Sequence, residues 1–409
     1  MPHSGRYNVF STIGLGTASF ALAETDAVHS SRAFRRRFSV PPANQVSLGP
    51  FCPMIKLTRR QPGGQKKKLG ATVRPTGADV AHLAGVSQSA VSRALRPGGS
   101  ASPKVRAKVA AAAATLGYRP NHLARAMTTR QTSVIAVIMA GSTTIYYPEV
   151  LRELCNAIAD QGCRTMVFMV DDRQSEAAAI DAMASYRIDA AIALVSLSDD
   201  HLALLRNNAI RLVYYNRDGP DGGPDVVTCD HRAAGRDAAL HLLALGHRQS
   251  AVIAGPTTSW VSTERVAGIR AARDGHGNAL KIVQAVAGDY SYESGLAGMQ
   301  MLHTIAGRVS AIIACNDAMA AAAVDVATRD WKLAVPQNLS VIGFDGTAFS
   351  TWRAYHLSTM LQPVARLCRA AVEILTASDQ SGDGERRTID AALRRGNSTG
   401  PIDPRFRST

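Results

Sequence analysis

After Ser133 the chain alternates between short apolar runs and longer stretches of helical period, and this alternation restricts its fold most tightly. Val134–Met139, Thr165–Val170, Ala190–Val195, Arg211–Tyr215, Ala251–Ala254, Ala311–Ala314 and Ser340–Phe344 are largely apolar runs, as in strands of a parallel sheet covered on both faces. Between them Glu149–Asp160, Glu176–Tyr186, Ala233–Leu245, Glu264–Arg273, Tyr292–Ile305 and Ala318–Arg329 have helical character. Strand and helix in regular turn is the βαβ pattern. The units are too many for one comfortable sheet. Two Rossmann-like lobes with a ligand between them are predicted.

The rest of the chain differs in charge. Of its 409 residues, the first 130 hold 20 Lys and Arg against 3 Asp and Glu, while the remaining 279 hold 26 against 29. Basicity confined to one end suggests a segment that meets a polyanion. Residues 1–73 carry basic clusters at Arg35–Arg37 and Lys66–Lys68, show no sustained period, and are expected to be a disordered extension. Val9 to Ala23 is weakly apolar and ends Ala21-Leu22-Ala23, as an export signal can. Its glycines and thin basic start make it a poor one, and a cytoplasmic protein is expected. Because Met54 precedes a basic stretch closer to the first helix, residues 1–53 are expected to be dispensable. No apolar run reaches the roughly 18 residues of a membrane span. Six scattered cysteines, without Cys-x-x-Cys or zinc-ligand spacing, suggest neither a disulfide framework nor a metal site.

Between Arg74 and Tyr118 three short helices are predicted. Thr76 with Asp79 forms a capping-box pattern, Val80 and Leu83 share a face, and Gly85 ends the first helix. Ser87 caps a second helix reaching Leu95; Ser102-Pro103 opens a third, with Val105, Val109, Ala112 and Leu116 as its core stripe. Ala81 and Ala84 allow a close helix crossing, and Val86, Val91 and Leu95 point inward. Gln88, Ser89, Ser92 and Arg93 are left outward near the start of the second helix, where a helix-turn-helix presents side chains to base edges in the major groove. Gln can pair with adenine and Arg with guanine.

Asp79-Val-Ala-x-x-Ala-Gly-Val-Ser-x-x-x-Val-Ser-Arg93, Leu116-Gly-Tyr-Arg-Pro-Asn121, Gly246-His-Arg248, Asn316-Asp-x-Met-Ala320 and Val335-Pro-x-x-Leu-Ser-Val-Ile-Gly-Phe-Asp345 occur in order. With them the chain resembles the LacI/GalR (lactose-repressor) family of bacterial transcriptional regulators over Pro75 to Pro401. The resemblance implies an α/β fold: a two-lobed, periplasmic-binding-protein-like core preceded by a small all-α helix-turn-helix domain. It divides the chain into the extension 1–73, the DNA-binding domain 74–119, a hinge helix and linker 120–132, an effector-binding and dimerisation core 133–401, and a tail 402–409. The first lobe is expected at 133–229 plus 357–380, the second at 230–356 plus the C-terminal segment.

It further implies a homodimer, with a tetramer also open, that binds double-stranded operator DNA and represses transcription under a small-molecule effector, sugar-like in preference to purine-like. Neither cofactor nor membrane is required. Asn121, Arg125 and Met127 look like hinge positions at the minor groove, with methionine where the family usually has a leucine wedge. Arg265, Asn316, Asp345 and Tyr290 look like effector ligands, and Tyr146 and Tyr147 like an aromatic pair, although Thr144-Ile145 departs from the family's Asn-Pro before it. Read without the family, Asp345 could be a helix cap, Asn316 a turn residue and Arg265 half of a surface ion pair. A solute-binding protein would share the lobes but has no use for residues 75–130. An enzyme would need motifs that are missing: Gly-x-Ser-x-Gly, a Walker loop, His-Glu-x-x-His.

Overall fold

The computed structural model describes residues 75–96, 98–119, 132–141, 145–220, 222–377 and 384–404. The extension, the hinge positions Asn121, Arg125 and Met127, and residues 405–409 of the tail lie outside them.

Helices α1 (Gly77–Ala84), α2 (Gln88–Leu95) and α3 (Pro103–Leu116) close on a small core of Val80, Ala81, Ala84, Val91, Val109, Ala112 and Ala113. Their ends are set by side chains. The Thr76 N–H donates to the Asp79 carboxylate at 2.7 Å while the Asp79 N–H donates to Thr76 Oγ1 at 3.4 Å, and Ser87 and Ser102 accept from Ala90 and Val105. Gly85 turns the chain with φ 65°, a left-handed conformation that glycine takes without steric cost. Leu83, expected on one face with Val80, is 51% exposed while Val80 is buried. The buried line is centred on Val80, Ala81 and Ala84, and Leu83 lies roughly 100° away around the helix.

The first lobe is a parallel sheet in the order β11-β5-β4-β3-β1-β2. Its strands are β1 (Val134–Met139), β2 (Arg164–Met169), β3 (Ala190–Ala193), β4 (Arg211–Tyr215), β5 (Asp225–Cys229) and β11 (Arg386–Ile389). Helices α4 (Tyr147–Asp160), α5 (Arg173–Ser185) and α6 (Asp199–Asn207) alternate with the first four. Period two is visible on β1. Ile135, Val137 and Met139 join one cluster with Leu154 and Ile158 of α4, while Ala136 and Ile138 join another with Ile180 and Met183 of α5.

The second lobe opens with α7 (His231–Ala244), β6 (Gln249–Ala254), α8 (Trp260–Ala271), β7 (Lys281–Ala287) and α9 (Tyr292–Leu302). It continues through β8 (Ala311–Ala314), α10 (Asp317–Asp325), β9 (Ser340–Asp345) and β10 (Ser358–Leu361), and β12 (Ala392–Arg394) completes it. The sheet order is β12-β10-β9-β8-β6-β7, with only β12 antiparallel to its neighbour. Helix α11 (Val364–Thr376) returns to the first lobe and packs on α4, β4 and β5. The chain therefore passes between lobes three times: after Cys229, after Leu361 and after Ile389.

The lobe limits need correction. Ser358–Leu361 pairs with β9 and belongs to the second sheet, so the crossing falls at Gln362-Pro363 rather than at 357. The C-terminal segment is divided, β11 joining the first sheet and β12 the second. Strands β5, β7, β10, β11 and β12 are absent from the sequence expectation for a common reason. They are short, or interrupted by polar residues such as Asp225, Thr228, Lys281 and Gln284, so no continuous apolar run marks them. Among the described residues no helix is long and apolar enough to cross a membrane.

Candidate functional site

Two constellations stand out. The first is on α2, where Gln88, Ser89, Ser92 and Arg93 are all exposed while Val91 is buried. The Ser87 cap at the turn leaves these side chains on the first turns of the helix. Around them residues 75–119 hold 6 Lys and Arg against 1 acidic residue, Asp79. An exposed polar helix face in a basic setting can read base edges while its neighbours hold phosphates.

The second is a cleft at the C-terminal ends of the strands, where the lobes meet. It is open to solvent at its mouth and lined by polar and aromatic side chains from both lobes. All six residues singled out as effector ligands line it: Tyr146, Tyr147, Arg265, Tyr290, Asn316 and Asp345. Tyr146, Tyr290 and Asn316 come from loops, Tyr147 from the start of α4, Arg265 from α8 and Asp345 from the end of β9, a convergence expected outside the carboxyl ends of doubly wound sheets.

Arg265 sits on α8 and is 2% exposed. Its place is set by a close helix crossing: a Cβ on Gly235 of α7 would lie 2.0 Å from the Arg265 carbonyl oxygen, and one on Gly268 would lie 1.9 Å from that of Arg232. Arg265 Nη2 donates to Asp345 Oδ1 at 3.0 Å, Nη1 donates to the Cys315 carbonyl, and the guanidinium lies 4.7 Å from the centroid of the Phe344 ring. Its Nε is buried without a partner. This is a buried ion pair, not the surface pair that was an alternative. Burial disfavours the charged Arg265, but Asp345 together with Tyr290, Cys315 and Cys229 more than offsets it and holds the guanidinium protonated. Burial pushes the Asp345 carboxyl up, against the pull of Arg265 and Gln362. Behind it the buried Asp317 accepts from Thr347 and Thr359, and burial, then Asp345, push its carboxyl up to about 7.

Asn316, whose alternative reading was a turn residue, is the N-cap of α10. Its Oδ1 accepts the Met319 N–H of α10 at 2.9 Å, and its Nδ2 donates to the Tyr290 carbonyl at 2.7 Å. One amide hydrogen and one oxygen lone pair remain for a ligand. The Tyr290 hydroxyl lies 2.8 Å from Ser259 Oγ, and a Cβ on Gly255 would fall within 2.2 Å of the Tyr290 ring, so the ring's seat needs glycine there. Asn216, Tyr290 and Asp345 have φ of 50°, 71° and 105°. Such backbone costs about 1–3 kcal/mol per residue and gathers at functional sites.

The two halves of the tyrosine pair differ. Tyr146 is buried and its hydroxyl donates to Gln362 Oε1 at 3.1 Å, with the Tyr215 hydroxyl 3.1 Å away. Tyr147 is half-buried and accepts from Arg217 Nη2 at 3.0 Å. A relay thus crosses the lobes. Tyr146 and Asn216 donate to Gln362 Oε1, Gln362 Nε2 donates to Asp345 Oδ1 at 2.8 Å, and Asp345 binds Arg265.

The comparisons now bear on both constellations. Residues 77–121 match the bacterial regulatory proteins of the lacI family, and residues 239–399 match a periplasmic binding protein-like domain. The HTH-type transcriptional regulator AscG of Escherichia coli (strain K12) is 30% identical over 312 residues, covering 75% of this chain and 92% of that protein.

The chain belongs to the lacI family.

It is a DNA-binding transcriptional regulator, in a family of regulators rather than enzymes. The ribose operon repressor of E. coli K12 is 29% identical over 73% of this chain and 91% of its own length. The lac repressor dimer bound to operator and the anti-inducer ONPF superposes with a TM-score of 0.70 at 25% identity, over 80% of this chain and 100% of that one. A complex of the regulator CelR with cellobiose gives 0.60 at 27% identity and the same coverage.

Tyr215, Asn216, Arg217, Ser259, Val261 and Gln362 also line the cleft of this lacI-family chain and were not singled out from sequence. Asn216-Arg217 follows an apolar strand as Asn316 and Asp345 do, so the strand-end reasoning could have found it. Gln362 carries no such mark, because its importance lies in contacts made across the lobes. His231 does not line the cleft but is buried against Asn216, which does. Asn216 Oδ1 accepts the Cys229 N–H, so His231 Nε2 is the donor to that oxygen and Nδ1 is left as an unpartnered acceptor. Burial, then Arg265 and Arg217, depress its pKa well below the usual range and hold it neutral.

Proposed function

We propose that this regulator is a cytoplasmic repressor that binds a palindromic operator as a homodimer and answers to a sugar-like effector held in the interlobe cleft. The supporting observation is the convergence of Tyr146, Tyr147, Arg265, Tyr290, Asn316 and Asp345 on one cleft joined across the lobes by the Gln362 relay. Hydroxyls suit the carboxylate, amide and guanidinium, and the tyrosines suit the apolar face of a sugar ring. Gln88, Ser89, Ser92 and Arg93 read the major groove. Asn121, Arg125 and Met127 form the hinge that carries the state of the lobes to DNA, with the DNA-binding domain at 74–119 and the core at 133–401. An apolar surface with Trp352 62% and Ile145 56% exposed is suited to a second copy.

A ligand shifts such an equilibrium only by its differential affinity for the two arrangements of the lobes. The test is a screen of the full chain against sugars, sugar acids and nucleobases for a rise in Tm, followed by operator binding with and without each hit. One hydroxylated metabolite should raise Tm and change operator affinity at least tenfold, and Tyr147→Ala should weaken its binding. Failure of every sugar, or a hit whose midpoint ignores Tyr147→Ala, rejects the cleft as the effector site.

A further inference from the structure

One charge in the cleft has no counter-charge. Three ionic side chains line it: Arg217, Arg265 and Asp345. Arg265 and Asp345 neutralise each other at 3.0 Å. Arg217, at the end of β4 on the first lobe, donates from Nη1 to the Asn216 carbonyl at 2.7 Å and from Nη2 to the Tyr147 hydroxyl at 3.0 Å, both neutral acceptors. Neighbouring carboxylates are engaged elsewhere: Asp218 with Arg386 at 2.8 Å and Asp225 with Arg211 at 3.0 Å. Among the described residues Arg217 forms no ion pair. The neutral His231, whose protonation both arginines oppose, adds no charge to the site.

A half-buried guanidinium has lost part of its hydration, and pairing with an anion restores what that loss costs. Its planar fork matches carboxylate and phosphate oxygens. The Tyr147 hydroxyl, already an acceptor from Arg217, keeps its own proton to donate to the same anion. Resting on the effector-cleft reading above, we propose that the effector is an anionic polyol. Its carboxylate or phosphate monoester lies on Arg217 and Tyr147, and its hydroxyls lie toward Asp345, Asn316 and Arg265. The anion is then held by the first lobe and the hydroxyls by the second, so both must be present for the ligand to bridge the lobes. A carboxylate and a phosphate monoester offer the same chemistry to the fork.

Calorimetry on the full chain separates the possibilities. Pentoses, hexoses and disaccharides are each titrated beside their phosphate monoester and their sugar acid, with inorganic phosphate as a control. At least one anionic member should bind tenfold or more tightly than its neutral parent, and the preference should shrink as salt rises. The arm that binds identifies carboxylate or phosphate. Arg217→Gln should cost the anionic member at least tenfold more affinity than its neutral parent and so abolish the preference, while Arg217→Lys should keep part of it. Equal or tighter binding of the neutral parents overturns the proposal and leaves the effector-cleft reading standing. So does an Arg217→Gln variant that weakens neutral and anionic ligands alike, since that marks a side chain acting only by positioning Tyr147. Binding of phosphate alone, as tightly as any polyol ester, overturns the polyol part. If no sugar of either kind binds, both readings fail.

Discussion

Helix α2, proposed to read DNA, and the interlobe cleft place the side chains assigned to function in opposite physical settings. On α2 the four proposed contacts are exposed, and only Ser89, with its oxygen 3.0 Å from Ser87 Oγ, touches the scaffold through a side-chain hydrogen bond. In the cleft Arg265, Asn316 and Asp345 are buried and bound to one another or to the backbone. The difference teaches how each site can be altered. The first can be edited without disturbing the fold, whereas in the second the ligand-facing groups are also structural.

The largest expected effect follows from Arg265→Ala. Removing one partner of a buried ion pair strands the other, at a cost of about 3–5 kcal/mol. Denaturant unfolding should therefore show a large loss of stability, and the same holds for Asp345→Ala. Arg93→Ala should be the counterpart: stability within about 0.5 kcal/mol of wild type, but a loss of about 1–3 kcal/mol in operator discrimination. Equal stability losses in the two variants would break the contrast.

A smaller effect is expected of Gly235→Ala. The added methyl meets the Arg265 backbone, and overpacking of this kind costs about 1–3 kcal/mol. Because it displaces α8, ligand affinity should fall along with stability, while DNA binding without ligand is spared. A lowered Tm with an unchanged ligand midpoint would show that α8 position does not govern the cleft.

pH sharpens the contrast further. The Asp317 carboxyl is raised to about 7 in the fold from 3.8 for a free aspartate, so between these limits the native state binds more protons than the unfolded chain. Its contribution to stability is greatest below about pH 4, declines as pH rises, and is lost as pH passes through about 7. Asp317→Asn, which mimics the protonated acid, should flatten that part of the stability–pH profile; an unchanged slope contradicts the assignment. The smallest effect belongs to Thr76→Ala, which removes a helix cap and should cost about 0.5–2 kcal/mol in the DNA-binding domain alone.

Legibility in the sequence follows the same division. The helix caps Thr76, Ser87 and Ser102 and the outward residues of α2 were readable because local spacing decides them. Strands β1, β3, β4, β6, β8 and β9 were readable because burial on both faces leaves long apolar runs. The edge strand β7 and the short strands at the crossings carry no such run. Arg265 and Asp345 could be named through the family, but their pairing could not, since 80 residues separate them. Gln362 and His231 were invisible because their roles exist only where three crossings bring distant segments together.

The central claim is that occupancy of the cleft changes what α2 does at DNA. The most direct measurement is fluorescence anisotropy with an operator selected by the protein from random duplexes, titrated with and without the sugar-like ligand that raises Tm most. For wild type the account predicts a midpoint shift of at least tenfold, about 1.4 kcal/mol, and for Tyr147→Ala an unshifted midpoint at the same ligand concentration with ligand-free DNA affinity retained. A ligand that stabilises the core yet leaves the wild-type midpoint within threefold would contradict it.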